Sequence, residues 1–248
     1  MKSIGIIPSR YASTRFPGKP LTNIKGKTMI QRVYEQATKS QKLSKVIVAT
    51  DDKRIYDHVI SFGGKVLMTD IDHTNGTSRC NQIISLLESS GEYFDTVVNI
   101  QGDEPYIDPI QIDSIVSLFD SKKVQIGTLA KRIVSNDELF NPNVVKVVLN
   151  NQKLAMYFSR HPIPMLRGFD NTNWLSNFTF LKHIGIYGFK TDILKNIATM
   201  PIGELEDAEK LEQLKWLENG ISISVDITDI ESIAIDTAED LLKLETNY

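Results

Sequence analysis

Ile4-Gly-Ile-Ile-Pro-Ser-Arg-Tyr-Ala-Ser-Thr-Arg-Phe-Pro-Gly-Lys-Pro-Leu21 runs an apolar strand straight into a loop with three cations, Arg10, Arg15 and Lys19, among small residues. Small residues at Ser9, Ala12 and Ser13 let backbone N–H groups approach phosphate oxygens, and Arg forks add bidentate contacts. The loop is not Gly-x-x-x-x-Gly-Lys-Ser/Thr, and it is not the Gly-x-Gly-x-x-Gly of dinucleotide folds. By charge alone a solvated basic turn is as good a reading; the whole string is more specific than its charge. A second stretch, Val97-Val-Asn-Ile-Gln-Gly-Asp-Glu-Pro105, ends a buried strand on an acidic tip. A carboxylate at Asp103 suits Mg²⁺, a hard cation that shares oxygen ligands with phosphates. Together the two stretches have what metal-assisted chemistry on a nucleoside triphosphate requires.

Working outward, strand-like and helix-like segments alternate. Ile4–Ile7, Lys45–Ala49, Lys65–Met68 and Thr96–Ile100 read as strands. Met29–Lys39, Lys53–Phe62, Ser78–Glu88 and Asp108–Phe119 read as helices. This βαβα pattern predicts an α/β fold: a mostly parallel, Rossmann-like sheet flanked by helices. Ligands on such sheets bind outside the carboxyl ends of the strands, where both stretches lie.

After residue 125 the pattern changes. Strands are expected at Ile126–Ile133, Val144–Leu149, Ala155–Ser159, His183–Phe189 and Ile221–Asp226, with a loop at Met165–Phe178. Helices are expected at Asp192–Met200, Glu204–Asn219 and Thr237–Glu245, the last capped by Thr237. The chain, 1–248, reads as one domain with a protruding hairpin and loop region at about 128–182.

The 248 residues, 41% hydrophobic, fit one globular α/β domain. A net charge of −3 argues against nucleic acid as the main partner. The single cysteine, Cys80, excludes an internal disulfide and points to a reducing compartment. No secretory signal is expected, and no apolar run nears the roughly 18 residues of a membrane span, so no membrane insertion is expected. Asp236, between an apolar stretch and a helix start, is a candidate second metal ligand, or else a plain helix-terminus carboxylate. Asp51 and Asp52 end a third strand, and for them a capping role is at least as good a reading as ligand contact.

Beyond these residues, the chain resembles the 3-deoxy-manno-octulosonate (Kdo) cytidylyltransferases. The strings are Pro-Ser-Arg-Tyr-Ala-Ser-Thr-Arg-Phe-Pro-Gly-Lys-Pro-Leu, Val-Ala-Thr-Asp-Asp, Asn-Gly-Thr-Ser-Arg, Gln-Gly-Asp-Glu-Pro, Tyr-Phe-Ser-Arg, Lys-His-Ile-Gly-Ile-Tyr-Gly, Leu-Glu-Gln-Leu and Ile-Asp-Thr-Ala-Glu-Asp-Leu, in family order from Ile4 to Leu241. The resemblance implies a cytoplasmic homodimer that uses Mg²⁺ to transfer CMP from CTP to Kdo for lipopolysaccharide. It implies that Arg10, Ser13 and Lys19, with Arg15 nearby, hold the CTP phosphates. Gly76, Thr77 and Arg79 would frame the cytosine, largely through backbone. Asp103 and Asp236 would ligate Mg²⁺. Gln101, Arg160, His183, Tyr187, Glu212 and Gln213 would line the sugar pocket, with Arg160 facing the sugar carboxylate.

Taken singly, His183 reads as a structural residue, Arg160 as a surface charge and Glu212 as a solvated helix face. Three positions depart from the family pattern: Ser78 where an acid is frequent, His161 where a small residue is usual, and Lys215 where Arg is common. A hemiketal hydroxyl is more acidic than a simple alcohol, and metal coordination lowers its pKa further, so no side-chain general base is required. The hairpin Val144–Ser159 and the segment near Ile133 are candidates for a dimer contact.

The nearest alternative is a cytidylyltransferase for sialic acid, another nonulosonic acid or an 8-amino analogue of Kdo; the Gln-Gly-Asp-Glu-Pro and His-Ile-Gly-Ile-Tyr strings favour Kdo. A non-catalytic nucleotide-binding protein would lack Asp103, Asp236 or the basic loop. An NAD-dependent oxidoreductase would carry the glycine fingerprint.

Overall fold

The computed structural model describes residues 1–12, 16–231, 234, 235, 237 and 239–241. In chain order its elements are β1 (Ser3–Ser9), β2 (Asn23–Ile24), β3 (Lys27–Thr28), α1 (Met29–Ala37), β4 (Lys45–Thr50), α2 (Lys53–Ser61), β5 (Val66–Met68), α3 (Gly76–Ser89), β6 (Thr96–Asn99) and α4 (Pro109–Leu118). There follow β7 (Ile126–Arg132), α5 (Asn136–Phe140), β8 (Lys146–Leu149), β9 (Ala155–Ser159), α6 (Trp174–Asn177), β10 (Leu181–Lys190), α7 (Thr191–Ile197), α8 (Glu204–Glu209), α9 (Gln213–Glu218) and β11 (Ile223–Ile227).

The main sheet runs β11-β7-β10-β6-β1-β4-β5. β10 is antiparallel to both its neighbours, and the other pairs along this path are parallel. Period-two alternation divides the core between the faces. Ile4 and Ile6 of β1 pack with Ile83, Ile84 and Leu87 of α3 and with Trp216 of α9. Ile7 packs on the other face with Val33 of α1, Ile55 of α2 and Ile112 and Ile115 of α4. Helices cover both faces, as near-continuous apolar strands require. On α1, Met29, Ile30, Val33 and Ala37 form the buried stripe the spacing predicts, and the Thr28 hydroxyl caps the helix at the Gln31 amide.

Several expectations need correction. β7, most of which falls in the region at about 128–182 expected to protrude, is a strand within the main sheet. The hairpin β8–β9 branches from the same sheet through Leu181↔Val147, and its turn meets β11 at Leu154↔Ser224. The expected single helix over 204–219 is two helices. Lys210 takes a left-handed conformation (φ 53°) that ends α8, and the chain turns before α9. The expected loop at 165–178 contains a 3-10 turn at Asn171–Asn173 and α6, anchored by buried Trp174 stacked on Phe180. Helix α5, capped by Ser135 at the Glu138 amide, and the β2–β3 ribbon were not expected. At the C-terminal end, Thr237 and Asp240 cap one another reciprocally, as Thr237 was expected to do. Residues 238 and 242–245 of that predicted helix lie outside the described residues.

Candidate active site

A cleft of about 380 Å³ opens beyond the carboxyl ends of β1 and β6. One wall is Pro8–Arg10 with Lys19 and Pro20, and the floor is Asn99 with Gln101–Asp103. The second wall is His73–Thr77 with Arg79 at the start of α3, and Tyr187, Glu212 and Gln213 close the far end. The structure therefore brings together Arg10, Lys19, Gly76, Thr77, Arg79, Gln101, Asp103, Tyr187, Glu212 and Gln213.

Lys19 reaches the cleft from a 3-10 turn whose entry residue, Gly18, has φ 73°. A side chain at Gly18 would also meet the Tyr11 ring at about 3.1 Å, so glycine is needed twice over. Lys19 Nζ donates to Asp103 Oδ2 at 2.8 Å. The proposed phosphate cation and the proposed metal ligand thus form an ion pair inside the cleft. Arg10 is exposed at its edge and makes no ion pair among the described residues. Ser13, Arg15 and Asp236 lie outside the described residues. The residue before Asp236 is fixed: the Ile235 amide donates to the Asp103 carbonyl at 2.9 Å, and Ile235 is fully buried.

On the α3 wall, Asn75 caps the helix, its Oδ1 accepting from the Ser78 amide at 2.8 Å. Amides of the first turn of a helix lack intrahelical acceptors and point outward. Arg79 is buried, pairing with Asp51 at 2.8 Å and donating to Thr69 Oγ1. The two strand-end aspartates therefore separate: Asp51 braces Arg79, whereas Asp52 caps α2 at the Arg54 amide.

At the far end, Gln101 Nε2 donates to the Gly185 carbonyl at 2.7 Å. Gly185 lies in a register shift of β10 between Ile184 and Tyr187. Such bulges re-aim side chains beside binding sites. The Tyr187 hydroxyl is buried with no hydrogen-bond partner among the described residues. Glu212 Oε2 accepts from Thr77 Oγ1 at 2.9 Å, tying the far end to the α3 wall.

Two expected pocket residues stand apart from the cleft lining. Arg160 donates to the carbonyls of Glu209 (2.8 Å), Pro142 (3.1 Å) and Lys210 (3.4 Å). Its charge suits the carbonyl end of α8, where the left-handed turn leaves acceptors open. His183 lies behind Tyr187, with ring centroids 5.1 Å apart. Thr128 Oγ1, whose one proton goes to the Ile186 carbonyl at 2.8 Å, accepts from His183 Nε2–H at 2.9 Å. Burial lowers the His183 pKa to about 3.

A histidine with a depressed pKa stabilises the fold fully above its unfolded value near 6.5, and that contribution is lost as pH falls towards 3. Discounted for the residue's partial exposure, the advantage of the natural chain over His183→Gln should shrink by about 1–2 kcal/mol between roughly pH 7.5 and pH 5, measured by urea unfolding. A constant advantage would show that the ring is not held neutral.

The chain matches the family profile described as Cytidylyltransferase over residues 4–227. It is 54% identical over 98% of its length, and 96% of the relative's, to a 3-deoxy-manno-octulosonate cytidylyltransferase of Parabacteroides distasonis. The chain belongs to the 3-deoxy-manno-octulosonate cytidylyltransferase family. A Bacteroides thetaiotaomicron relative of the same name is 51% identical over 99% of the chain and 97% of its own length. A solved CMP:2-keto-3-deoxy-manno-octonic acid synthetase complexed with CTP superposes with a TM-score of 0.89 at 38% identity, covering 99% of this chain and 98% of that one.

Within this cytidylyltransferase, the three departures fall in different places. Ser78 serves the helix start, its hydroxyl donating to the Asn75 carbonyl at 3.1 Å. His161 is exposed, and its ring contacts the Pro162 carbonyl. Lys215 is buried between Glu206 and Glu212.

Sequence reasoning missed Asn99, and took Ser9 only as a small residue of the phosphate loop. Both are buried (4% and 6% exposed) and both line the cleft. The Ser9 hydroxyl has no hydrogen-bond partner, and no protein group bonds the Asn99 carboxamide among the described residues. Asn99 sits opposite Tyr187 in register and against Gly76, where a Cβ would approach its Nδ2 to 3.1 Å. The available signal was a lone amide at the end of an apolar run, Val97-Val-Asn-Ile. A ligand in the cleft can bond the Ser9 hydroxyl, whose burial without a partner carries a desolvation cost, and the Asn99 amide on the cleft lining. Asn99→Leu should therefore raise KM for one or both substrates about tenfold while leaving thermal stability within about 1 kcal/mol. Unchanged KM values would assign the amide to solvent.

Proposed function

We propose that this chain transfers CMP from CTP to Kdo, giving CMP-Kdo and pyrophosphate. The observation that carries this reading is the placement of the Lys19–Asp103 pair across one cleft from the α3 N-terminus, with Tyr187, Glu212 and Gln213 at its far end. Relatives named for this activity, similar over nearly the whole chain, support it.

The residues divide the work. Arg10 and Lys19 neutralise the triphosphate, and charge at the phosphoryl oxygens in the transition state is met by groups already in place. The free amides of Gly76 and Thr77 donate to the acceptors on the cytosine ring. Gln101, Tyr187, Glu212 and Gln213 offer a mixed set of donors and acceptors to a polyhydroxy sugar. Its anomeric hydroxyl attacks the α-phosphorus, the bond to pyrophosphate breaks, and the hydroxyl proton leaves to solvent. His183 stays neutral, with Nε2–H committed to Thr128, so it is not positioned as the base.

The donor set fits Mg²⁺. Asp103 presents a carboxylate on the cleft floor, and Mg²⁺ is a hard cation that shares carboxylate oxygens with substrate phosphates. Asp103 and Asp236 would hold it. Bound there, it adds positive charge at the phosphates and lowers the pKa of a coordinated hydroxyl. The backbone bond from Ile235 to Asp103 supports the pairing of these two positions.

We also propose a homodimer. Val134, Met165, Phe169 and Phe178 are exposed apolar side chains within residues 134–178, beside the cluster of Ile133, Leu139, Trp174 and Phe180. Light scattering should give twice the chain mass, and a monomer at working concentration contradicts this.

A second reading, transfer to the 8-amino analogue, is favoured by a Shewanella frigidimarina relative named 8-amino-3,8-dideoxy-manno-octulosonate cytidylyltransferase, 47% identical over 99% of this chain and 98% of its own. Pyrophosphate release with each sugar separates the two. No described helix is long and apolar enough to cross a membrane.

A further inference from the structure

Glu212 lies where two walls of the cleft meet. Its Oε2 accepts from Thr77 Oγ1 at 2.9 Å, and its Oε1 faces Lys215 Nζ at 3.4 Å. Lys215 does not line the cleft. Its side chain is 5% exposed, and its second carboxylate neighbour is Glu206 of α8, at 3.5 Å. We infer that Lys215 is a positioning residue, whose buried ammonium keeps Glu212 an ionised acceptor for Thr77 on the nucleotide wall and for a hydroxyl of the acceptor sugar. This inference rests on the sugar-transfer reading of the cleft.

Opposing influences compete at the Glu212 carboxyl. Burial pushes the Glu212 carboxyl up from its ordinary range, and the Glu206 charge adds to that push; Lys215 and the Thr77 hydroxyl pull it down. Among the described residues, the titratable groups that face Glu212 are Lys215 of α9, Glu206 of α8, Cys80 of α3 and Tyr187 of β10. Lys215 is the one cation in that set. Without it, burial and Glu206 act together and the carboxyl takes up a proton at higher pH. A protonated carboxyl loses acceptor capacity, because one oxygen then carries hydrogen. The bond to Thr77 and any bond to a sugar hydroxyl would compete for the oxygen that is left. Thr77 lies in the first turn of α3 two residues before Arg79, so the charge on Glu212 also bears on the wall that frames the base.

The test is the titration of Glu212 followed by ¹³C NMR of the substrate-free protein, its signal assigned by loss in Glu212→Gln. Lys215→Met should raise the titration midpoint by at least about one pH unit, a tenfold change in the protonation equilibrium. Lys215→Arg should restore it. In turnover, the ratio of KM for Kdo in Lys215→Met to that in the natural chain should grow several-fold as pH falls from about 8.5 to about 6.5. An unmoved midpoint, or a KM ratio constant with pH, overturns the inference and leaves Lys215 a packing residue. Should Lys215→Met fail to fold, Glu206→Gln gives the opposite sign: removing that carboxylate should lower the Glu212 midpoint, and a rise or no change overturns the inference. Because the titration uses no substrate, it reports on Lys215 even if the natural chain fails to turn over Kdo.

Discussion

Replacing Asp103 by alanine should lower kcat by about 10³-fold or more while leaving CTP binding in the absence of metal unchanged or tighter. The two halves of this expectation follow from one ion pair. Lys19 Nζ lies 2.8 Å from Asp103 Oδ2, with the Lys19 side chain 14% exposed and that of Asp103 26% exposed. Removing the carboxylate raises the positive charge of the phosphate-binding wall, which favours a highly anionic ligand. It also removes the oxygen proposed to hold the divalent ion, without which the reacting phosphorus loses its main electrostatic support. A structural role for Asp103 would weaken CTP binding and stability together. Isothermal titration with CTP, set beside steady-state turnover, separates these outcomes. Turnover preserved in Asp103→Ala would refute the assignment.

The second large effect should come from Gly102→Ala. A Cβ at Gly102 would lie 2.8 Å from the Pro8 carbonyl oxygen, a backbone atom at the end of β1. Backbone within a paired strand cannot swing aside as a flexible side chain can, so the 101–103 segment must shift by a few tenths of an ångström. That shift moves Asp103 against Lys19 and moves Gln101 away from the Gly185 carbonyl. Displacements of this order at a reacting centre cost about 10–100-fold in kcat/KM, whereas the strain costs about 1–3 kcal/mol of stability. Thermal unfolding and kinetics measured together check both figures. Natural kinetics in a folded Gly102→Ala variant would show that the segment has slack.

Much of this site was legible in the sequence, because parallel sheets place their functional residues at strand ends. Apolar runs marked β1, β4 and β6, so the loop after Ser9 and the tip at Asp103 had to come near one another. Other features depend on choices that only packing makes. Asp51 and Asp52 are chemically equal in the sequence. Which one caps α2 and which braces Arg79 depends on helix geometry. The break between α8 and α9 carries no Gly or Pro. Lys210 adopts its left-handed conformation where Arg160 gathers the Glu209 and Lys210 carbonyls, a contact across about fifty positions that no local pattern reveals. Arg160 was expected at a sugar carboxylate for the same reason it sits at a helix end: a guanidinium goes where acceptors are concentrated. Asn99 escaped notice because one amide in a strand is ordinary, until the structure shows it buried and facing the cleft.

The most direct measurement of the central claim is pyrophosphate release by the purified chain given CTP, Mg²⁺ and Kdo, with UTP and ATP in parallel and the product read by ³¹P NMR. The account predicts CMP-Kdo and pyrophosphate in equal amounts, a strong preference for CTP, and loss of turnover when the metal is chelated. Tight CTP binding with no pyrophosphate released on Kdo or its 8-amino analogue would contradict it.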